Sequence, residues 1–138
     1  KVMALSSPSS KVVAIDPYLT VHPSSGISDP IEVMQGFIKA TQGLKVKLIP
    51  KKSEDVGKTW DKPIDFLHID GDHHAWSVAK DILLFVPHVK KGCYVFFHDY
   101  VVNGGEEDGG MVKEVVSFFK DYFDEVKTVS GFAVCRKS

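Results

Sequence analysis

Apolar residues follow two rhythms along this chain. Short continuous runs, each closed by proline or a polar cluster, alternate with stretches in which apolar positions recur every three or four residues. The runs Val12-Val13-Ala14-Ile15, Ile64 to Ile69 and Tyr94 to Phe97 have the length and the bounds of buried parallel strands. Leu44 to Ile49 alternates apolar residues with lysine and stops at Pro50, which predicts a further strand. Asp29-Pro30-Ile31-Glu32 opens a helix, with an acceptor at the N-cap, proline at the first helical position and an acid in the first turn. Ile31, Met34, Phe37, Ile38 and Thr41 continue it at helical spacing, and Gly43 is a stop signal. A second helix is predicted from about His74 to His88, with Val78, Ile82 and Phe85 inward and Pro87 limiting its last turn. A third is predicted from Met111 to about Phe123, with Val112, Val115, Val116, Phe119 and Phe123 on the core face. Glu125 to Ser130 and Phe132 to Arg136 flank Gly131 closely enough to form a hairpin.

Alternation of this kind predicts an α/β fold, a three-layer sandwich around a mainly parallel sheet. With 138 residues, the chain reads as one domain with room for a real core. Internal repeats and low-complexity linkers are absent from the sequence. Ser6 to Ser10 is a small polar turn, whereas Val101 to Gly110 is a glycine- and acid-rich loop long enough to be functional.

Composition adds exclusions. Seventeen basic and eighteen acidic side chains nearly cancel, so no strong pull on nucleic acid or an anionic membrane is indicated. No apolar run approaches the roughly 20 residues that span a bilayer, and no secretory signal pattern opens the chain. Cys93 and Cys135 are far apart, each in an apolar run, and read as reduced thiols in a cytoplasmic protein.

The candidate chemistry gathers where strands end, which is where open α/β sheets collect ligands. The first strand ends at Asp16, the second at Lys51-Lys52-Ser53, the third at Asp70-Gly71-Asp72-His73-His74 and the next at His98-Asp99-Tyr100. Asp16 is placed to accept hydrogen bonds from both hydroxyls of a ribose, or to form a turn ahead of Pro17. Ser53 can bond an adenine edge or cap the short helix that Glu54 and Asp55 begin. Asp70, Asp72, His98 and Asp99 offer hard donors to a Mg²⁺-like ion, and the imidazoles beside them turn the set toward Mn, Fe or Zn. Against that stands a structural alternative, in which Asp72 caps the next helix and His98 bonds a backbone group. His22, His68 and His88 are isolated and read as structural or solvated.

The strings Ile64-Asp65-Phe66-Leu67-His68-Ile69-Asp70-Gly71-Asp72-His73 and Val95-Phe96-Phe97-His98-Asp99-Tyr100 resemble class I S-adenosylmethionine-dependent methyltransferases. The group resembled holds macrocin O-methyltransferase-like enzymes, related to the catechol O-methyltransferases. Val12-Val13-Ala14-Ile15-Asp16-Pro17-Tyr18 is similar to that family's second strand, and Gly131-Phe132-Ala133-Val134-Cys135-Arg136 to its last. The resemblance runs from Lys11 to nearly the end of the chain. It implies a Rossmann-like sheet with an antiparallel last strand, binding S-adenosylmethionine at the strand ends.

Residue by residue, the resemblance implies cofactor binding by Asp16, Ser53 and Asp70, and catalytic positions at Asp70, Asp72 and His73. In the family's metal-dependent members the matching positions ligate a divalent cation, Mg²⁺ or another, which here gives Asp70, His98 and Asp99. The reaction implied is O-methylation of a small hydroxylated acceptor, with Asp72 or His73 assisting as base. The family's glycine-rich loop belongs about twenty residues or more ahead of Asp16, but fifteen residues precede it and none is glycine. Lys1 to Leu5 reads as the tail of the helix after that loop. The chain therefore reads as N-terminally truncated, lacking the first strand, with a gap between the strands that end at Asp16 and Asp70. Lys90-Lys91-Gly92-Cys93 also departs from the family pattern and reads as a turn.

Other readings compete. A binding protein that keeps the fold without catalysis is the main alternative. A metal-dependent hydrolase is weaker, and so is a dinucleotide oxidoreductase, since no Gly-x-Gly-x-x-Gly stands ahead of an acidic strand end. Partners are expected to be a small-molecule acceptor and, as an open alternative, further copies of the chain. The loops Tyr18 to Ser28 and Val101 to Gly110 are expected to shape the acceptor pocket.

Overall fold

The computed structural model describes residues 9–19, 29–100 and 109–138. Packing divides the chain into two compact units, Lys1–Val56 and Gly57–Ser138. The helix tail expected at residues 1–5 lies outside the described residues, as do most of the two loops expected to shape an acceptor pocket.

In the first unit, β1 (Val12–Ile15) and β2 (Val46–Ile49) form a parallel pair, with Val12 opposite Val46 and Ile15 opposite Ile49. Helix α1 (Pro30–Ala40) lies between them in the chain. Its start follows the capping logic of its sequence: Asp29 Oδ1 accepts the Ile31 amide at 2.8 Å, and Pro30 occupies the first turn where no amide is needed. Its end follows too, since Gly43 takes φ +79°, a left-handed conformation that ordinary side chains resist. The expected inward stripe is only partly realised. Met34, Phe37 and Thr41 are half-buried, whereas Ile31 and Ile38 are exposed. The short helix α2 (Ser53–Gly57) follows β2, and its first amide bonds run from Asp55 and Val56 to the Lys52 carbonyl. Ser53 is thus the first helical residue, one place past the cap position.

The second unit holds the core. Strands β3 (Ile64–Ile69), β4 (Val89–Phe97), β5 (Phe123–Val129) and β6 (Phe132–Lys137) form a mixed sheet in the order β3-β4-β6-β5. β3 and β4 are parallel, and β6 is antiparallel to both of its neighbours. Helices α3 (Ala75–Phe85) and α4 (Gly109–Phe118) pack on each other. The buried cluster joins Val78 and Ile82 of α3 and Val112 and Val116 of α4 to Ile69, Val95, Phe97, Ala133 and Cys135 of the sheet. Alternation along the strands sends Phe66 and Tyr94 to the other face, where both are exposed. The expected α/β, Rossmann-like fold with an antiparallel last strand is what the chain adopts.

Two expectations are corrected. Phe123 is buried, but as the first residue of β5 rather than the last of a helix, because a 3₁₀ turn (Lys120–Tyr122) ends the helical stretch. Strand β4 begins at Val89, and Lys90 to Cys93 is a bulge within it rather than a separate turn. Ile64 pairs with Val89 and Phe66 with Tyr94, so extra residues are absorbed there, with Gly92 at φ +78°. The hairpin turn uses two residues with positive φ, Ser130 at 48° and Gly131 at 86°, the primed geometry that matches strand twist. Among the described residues, β1 pairs only with β2 and β3 only with β4.

Candidate active site

Two strand ends of the second unit build one polar cluster. β3 delivers Asp70 and, through the bend that leads into α3, Asp72 and His73. β4 delivers His98 and Asp99. The backbone fixes the second pair firmly. The His98 amide donates to the Ile69 carbonyl at 3.0 Å, and the Tyr100 amide donates to the Gly131 carbonyl at 3.0 Å. Between these two anchors Asp99 is held at φ +50°, a left-handed conformation that costs a non-glycine residue about 1 kcal/mol or more. Strain of that kind persists where surrounding structure imposes it, and here it turns the Asp99 carboxylate back toward Asp70 and His73.

The resulting distances are short. His73 Nε2 lies 3.0 Å from Asp99 Oδ2. His98 Nδ1 lies 2.7 Å from the same oxygen and 3.3 Å from Asp70 Oδ1. Asp70, His73 and Asp99 each place a donor atom within 4.8 Å of the others, so they could hold a metal ion together. Proximity and hydrogen bonding disagree at His98. Neither carboxylate lies where the ring N–H points, and Nδ1 is buried without a hydrogen-bond partner. Direction decides hydrogen bonding, so this nitrogen is an orphan despite its near neighbours. Phe132 packs edge-on against the His98 ring at 4.6 Å and fixes its plane. A small cavity beneath the cluster is floored by Ile69, Val78, Phe97 and Val112, so the polar groups sit directly on the core.

Asp72 is engaged elsewhere. Its Oδ2 accepts the Ser77 hydroxyl at 2.8 Å, while Oδ1 accepts the His74 amide at 3.2 Å and meets His74 Nδ1 at 2.5 Å. The His74 ring bond, followed by the Ser77 hydroxyl bond, holds its carboxyl down at about 2. It tethers the start of α3 and stays ionised across the neutral range.

Asp16 and Ser53 belong to the first unit. Asp16 directly follows β1, and its Oδ1 accepts the Tyr18 amide at 2.7 Å in an Asx turn, with Tyr18 at φ +50°. One carboxylate oxygen thus shapes the turn. Burial, and then the nearby Asp16 charge, raise the Tyr18 phenol. Phe132, which no sequence signal singles out as a site residue, completes the cluster from the far hairpin. Only the register of β4 against β6 brings it there.

Residues 3–100 match the family described as a methyltransferase domain, which is most of the chain. The chain belongs to that family. The methyltransferase resemblance read from the strand-end motifs is thereby borne out. Solved structures agree on the fold. The O-methyltransferase NovP superposes with a TM-score of 0.70 at 18% identity, over 93% of this chain and 60% of its own. The methyltransferase PaMTH1 of Podospora anserina, solved with S-adenosylhomocysteine (SAH), gives 0.65 at 13% identity, over 94% and 61%. MycE, from the mycinamycin biosynthetic pathway and solved with Mg, SAH and mycinamycin VI, gives 0.57 at 13%, over 96% and 46%. This methyltransferase-family chain spans about three-fifths of the length of the first two. No curated protein matches it in sequence. No helix among its described residues is long and apolar enough to cross a membrane.

Proposed function

We propose that the protein is an S-adenosylmethionine-dependent methyltransferase that methylates a hydroxyl of a small acceptor, assisted by a divalent metal. The observation that carries this reading is the convergence of Asp70, His73 and Asp99 at the ends of β3 and β4, in a chain of the methyltransferase family. The family match runs from residue 3 to residue 100, across the division between the two units, which supports reading them as one catalytic domain.

The cofactor supplies a methyl group already activated on a sulfonium, so the protein has mainly to align nucleophile, methyl and sulfur. Asp16 holds the ribose through the carboxylate oxygen that its turn leaves free. Ser53, half-buried at the start of α2, borders the adenine. Asp70 and Asp99 would hold the divalent cation, which would ease loss of the acceptor's hydroxyl proton. Between the two base candidates the surroundings favour His73. Its Nε2 faces the cluster from beside Asp99, whereas Asp72 is tied to His74 and Ser77 and is too weak a base at about 2. In the transfer the new O–C bond forms as the S–C bond breaks. The hydroxyl proton goes to His73, and SAH leaves.

CalS11, a TDP-rhamnose 3'-O-methyltransferase of calicheamicin biosynthesis, shares the fold, and the MycE structure contains mycinamycin VI. Polyhydroxylated sugars and glycosides are therefore the first acceptors to screen, using full-length protein and labelled S-adenosylmethionine. Transfer of label, lost in Asp70→Asn, is the expected result. Retention of full transfer in that variant contradicts the site assignment. Cofactor binding without transfer to any acceptor, and without dependence on Asp70, favours a binding protein that keeps the fold.

A further inference from the structure

We infer that two copies of this chain associate edge to edge through β5, antiparallel, about a two-fold axis at Val126. The inference does not depend on the methyltransferase reading. In the order β3-β4-β6-β5, strand β5 (Phe123–Val129) has β6 on one side and, among the described residues, no strand on the other. Every second residue of such a strand turns its amide and carbonyl outward, and backbone groups left open this way are a template for another strand. Apolar side chains of this edge are open as well, with Val126 42% and Val129 54% exposed. The opposite edge, β3, carries Asp65 without a lysine or arginine, and Lys90 already engages that acid.

Charge decides both the occupant and the register. Glu125 lies opposite Arg136, which lies opposite Tyr94, so Glu125 and Lys127 stand on the sheet face away from the helices. Val126 lies opposite the buried Cys135, on the helix side. Directly opposed residues of paired strands share a face, so the two-fold axis must pass through a residue and not between two. An axis at Glu125 sets two glutamates against each other, and one at Lys127 sets two lysines. One further along, at Thr128, opposes lysine to valine. Only the axis at Val126 sets Glu125 of each copy against Lys127 of the other, with Val126 meeting its own counterpart. Within one copy Lys127 Nζ already lies 2.8 Å from Glu125 Oε1, so the four groups form a ring of alternating charge. Their side chains, 67% and 38% exposed respectively, are reachable from outside. A two-fold contact of this kind closes on itself and does not propagate. The bulge between Phe123 and Glu125 limits the shared ladder to the residues around Val126.

The test is sedimentation equilibrium of full-length protein over a range of about 1–100 µM. One short strand pair buries less than the roughly 1,200 Å² of a standard interface, so a dimer that dissociates on dilution is expected. Glu125→Lys alone and Lys127→Glu alone each bring like charges face to face, and each should weaken association about tenfold or more. Mixing the two variants opposes unlike charges again, so a dimer holding one of each should form with about the parent's affinity. The chain carrying both substitutions should likewise dimerise as the parent does, which guards against reading a misfolded single variant as support. A monomer throughout the range for the unmodified protein overturns the inference. So does a single variant that associates as well as the parent. Failure of both the mixture and the doubly substituted chain to dimerise overturns it as well, because no other register opposes these two residues.

Discussion

The Tyr100 amide donates to the Gly131 carbonyl at 3.0 Å, which ties the turn of the β5–β6 hairpin to the residue that follows Asp99. A connection far down the chain thereby holds the strand end that carries the cluster. Gly131, at φ +86°, is the least replaceable member of the turn. Gly131→Ala is predicted to cost about 1 kcal/mol or more, because a Cβ is strained at positive φ. Thermal unfolding should show a drop of roughly 3–6 °C for that loss. Ser130→Gly, at φ 48°, should be neutral or mildly stabilising in the same assay.

The strain at Asp99 makes a second expectation. Asp99→Gly relieves a left-handed conformation at φ +50° while removing the carboxylate. Stability should stay within about 1 kcal/mol of the parent, since relief of strain offsets the extra freedom of the unfolded glycine. Mn²⁺ binding should be lost. A variant that unfolds, or one that binds Mn²⁺ normally, would show that the conformation does not serve the site.

Gly57 is predicted to be intolerant for a different reason. A Cβ there would lie 2.8 Å from Leu84 Cβ and 3.2 Å from the Phe85 ring, both on α3, and a Cβ has no flexible end to swing aside. Gly57→Ala should destabilise by about 1–3 kcal/mol as an overpacking change. Chemical denaturation checks this through the midpoint, and an unchanged midpoint would mean that the helix simply shifts.

The two cysteines should separate chemically. Cys135 is fully buried, and burial alone pushes its thiol from the ordinary 9.0 up to about 12. Cys93 is only partly buried. A thiol reagent at neutral pH should modify one cysteine per native chain and two after denaturation. The folded state holds the Cys135 proton more tightly than the unfolded state does. Its contribution is therefore complete below about pH 9 and falls as the pH rises toward 12. Equal reactivity of both thiols in the native protein would contradict the packing of β6.

Much of this was legible in the sequence, and the illegible parts share a cause. Local signals sufficed where one element decides the outcome. Asp29-Pro30 sets the start of α1, Gly131 sets the hairpin, and Val78, Ile82 and Phe85 form the inner face of α3. Asp70, His73, His98 and Asp99 could be named because strand ends are readable. What they touch could not, since Phe132 reaches His98 only through the pairing of β4 with β6. The bulge at Gly92 and the transfer of Phe123 to β5 were likewise hidden, because both depend on register and not on composition. The engagement of Asp72 by Ser77 needed the turn of α3 that brings them together.

The most direct test of the central claim is a calorimetric titration of full-length protein with SAH, beside the Asp16→Ala variant. The account predicts saturable one-site binding, weakened tenfold or more in the variant, about 1.4 kcal/mol for the lost ribose contacts. Absence of binding in the unmodified protein would contradict it, and so would equal binding by the two proteins.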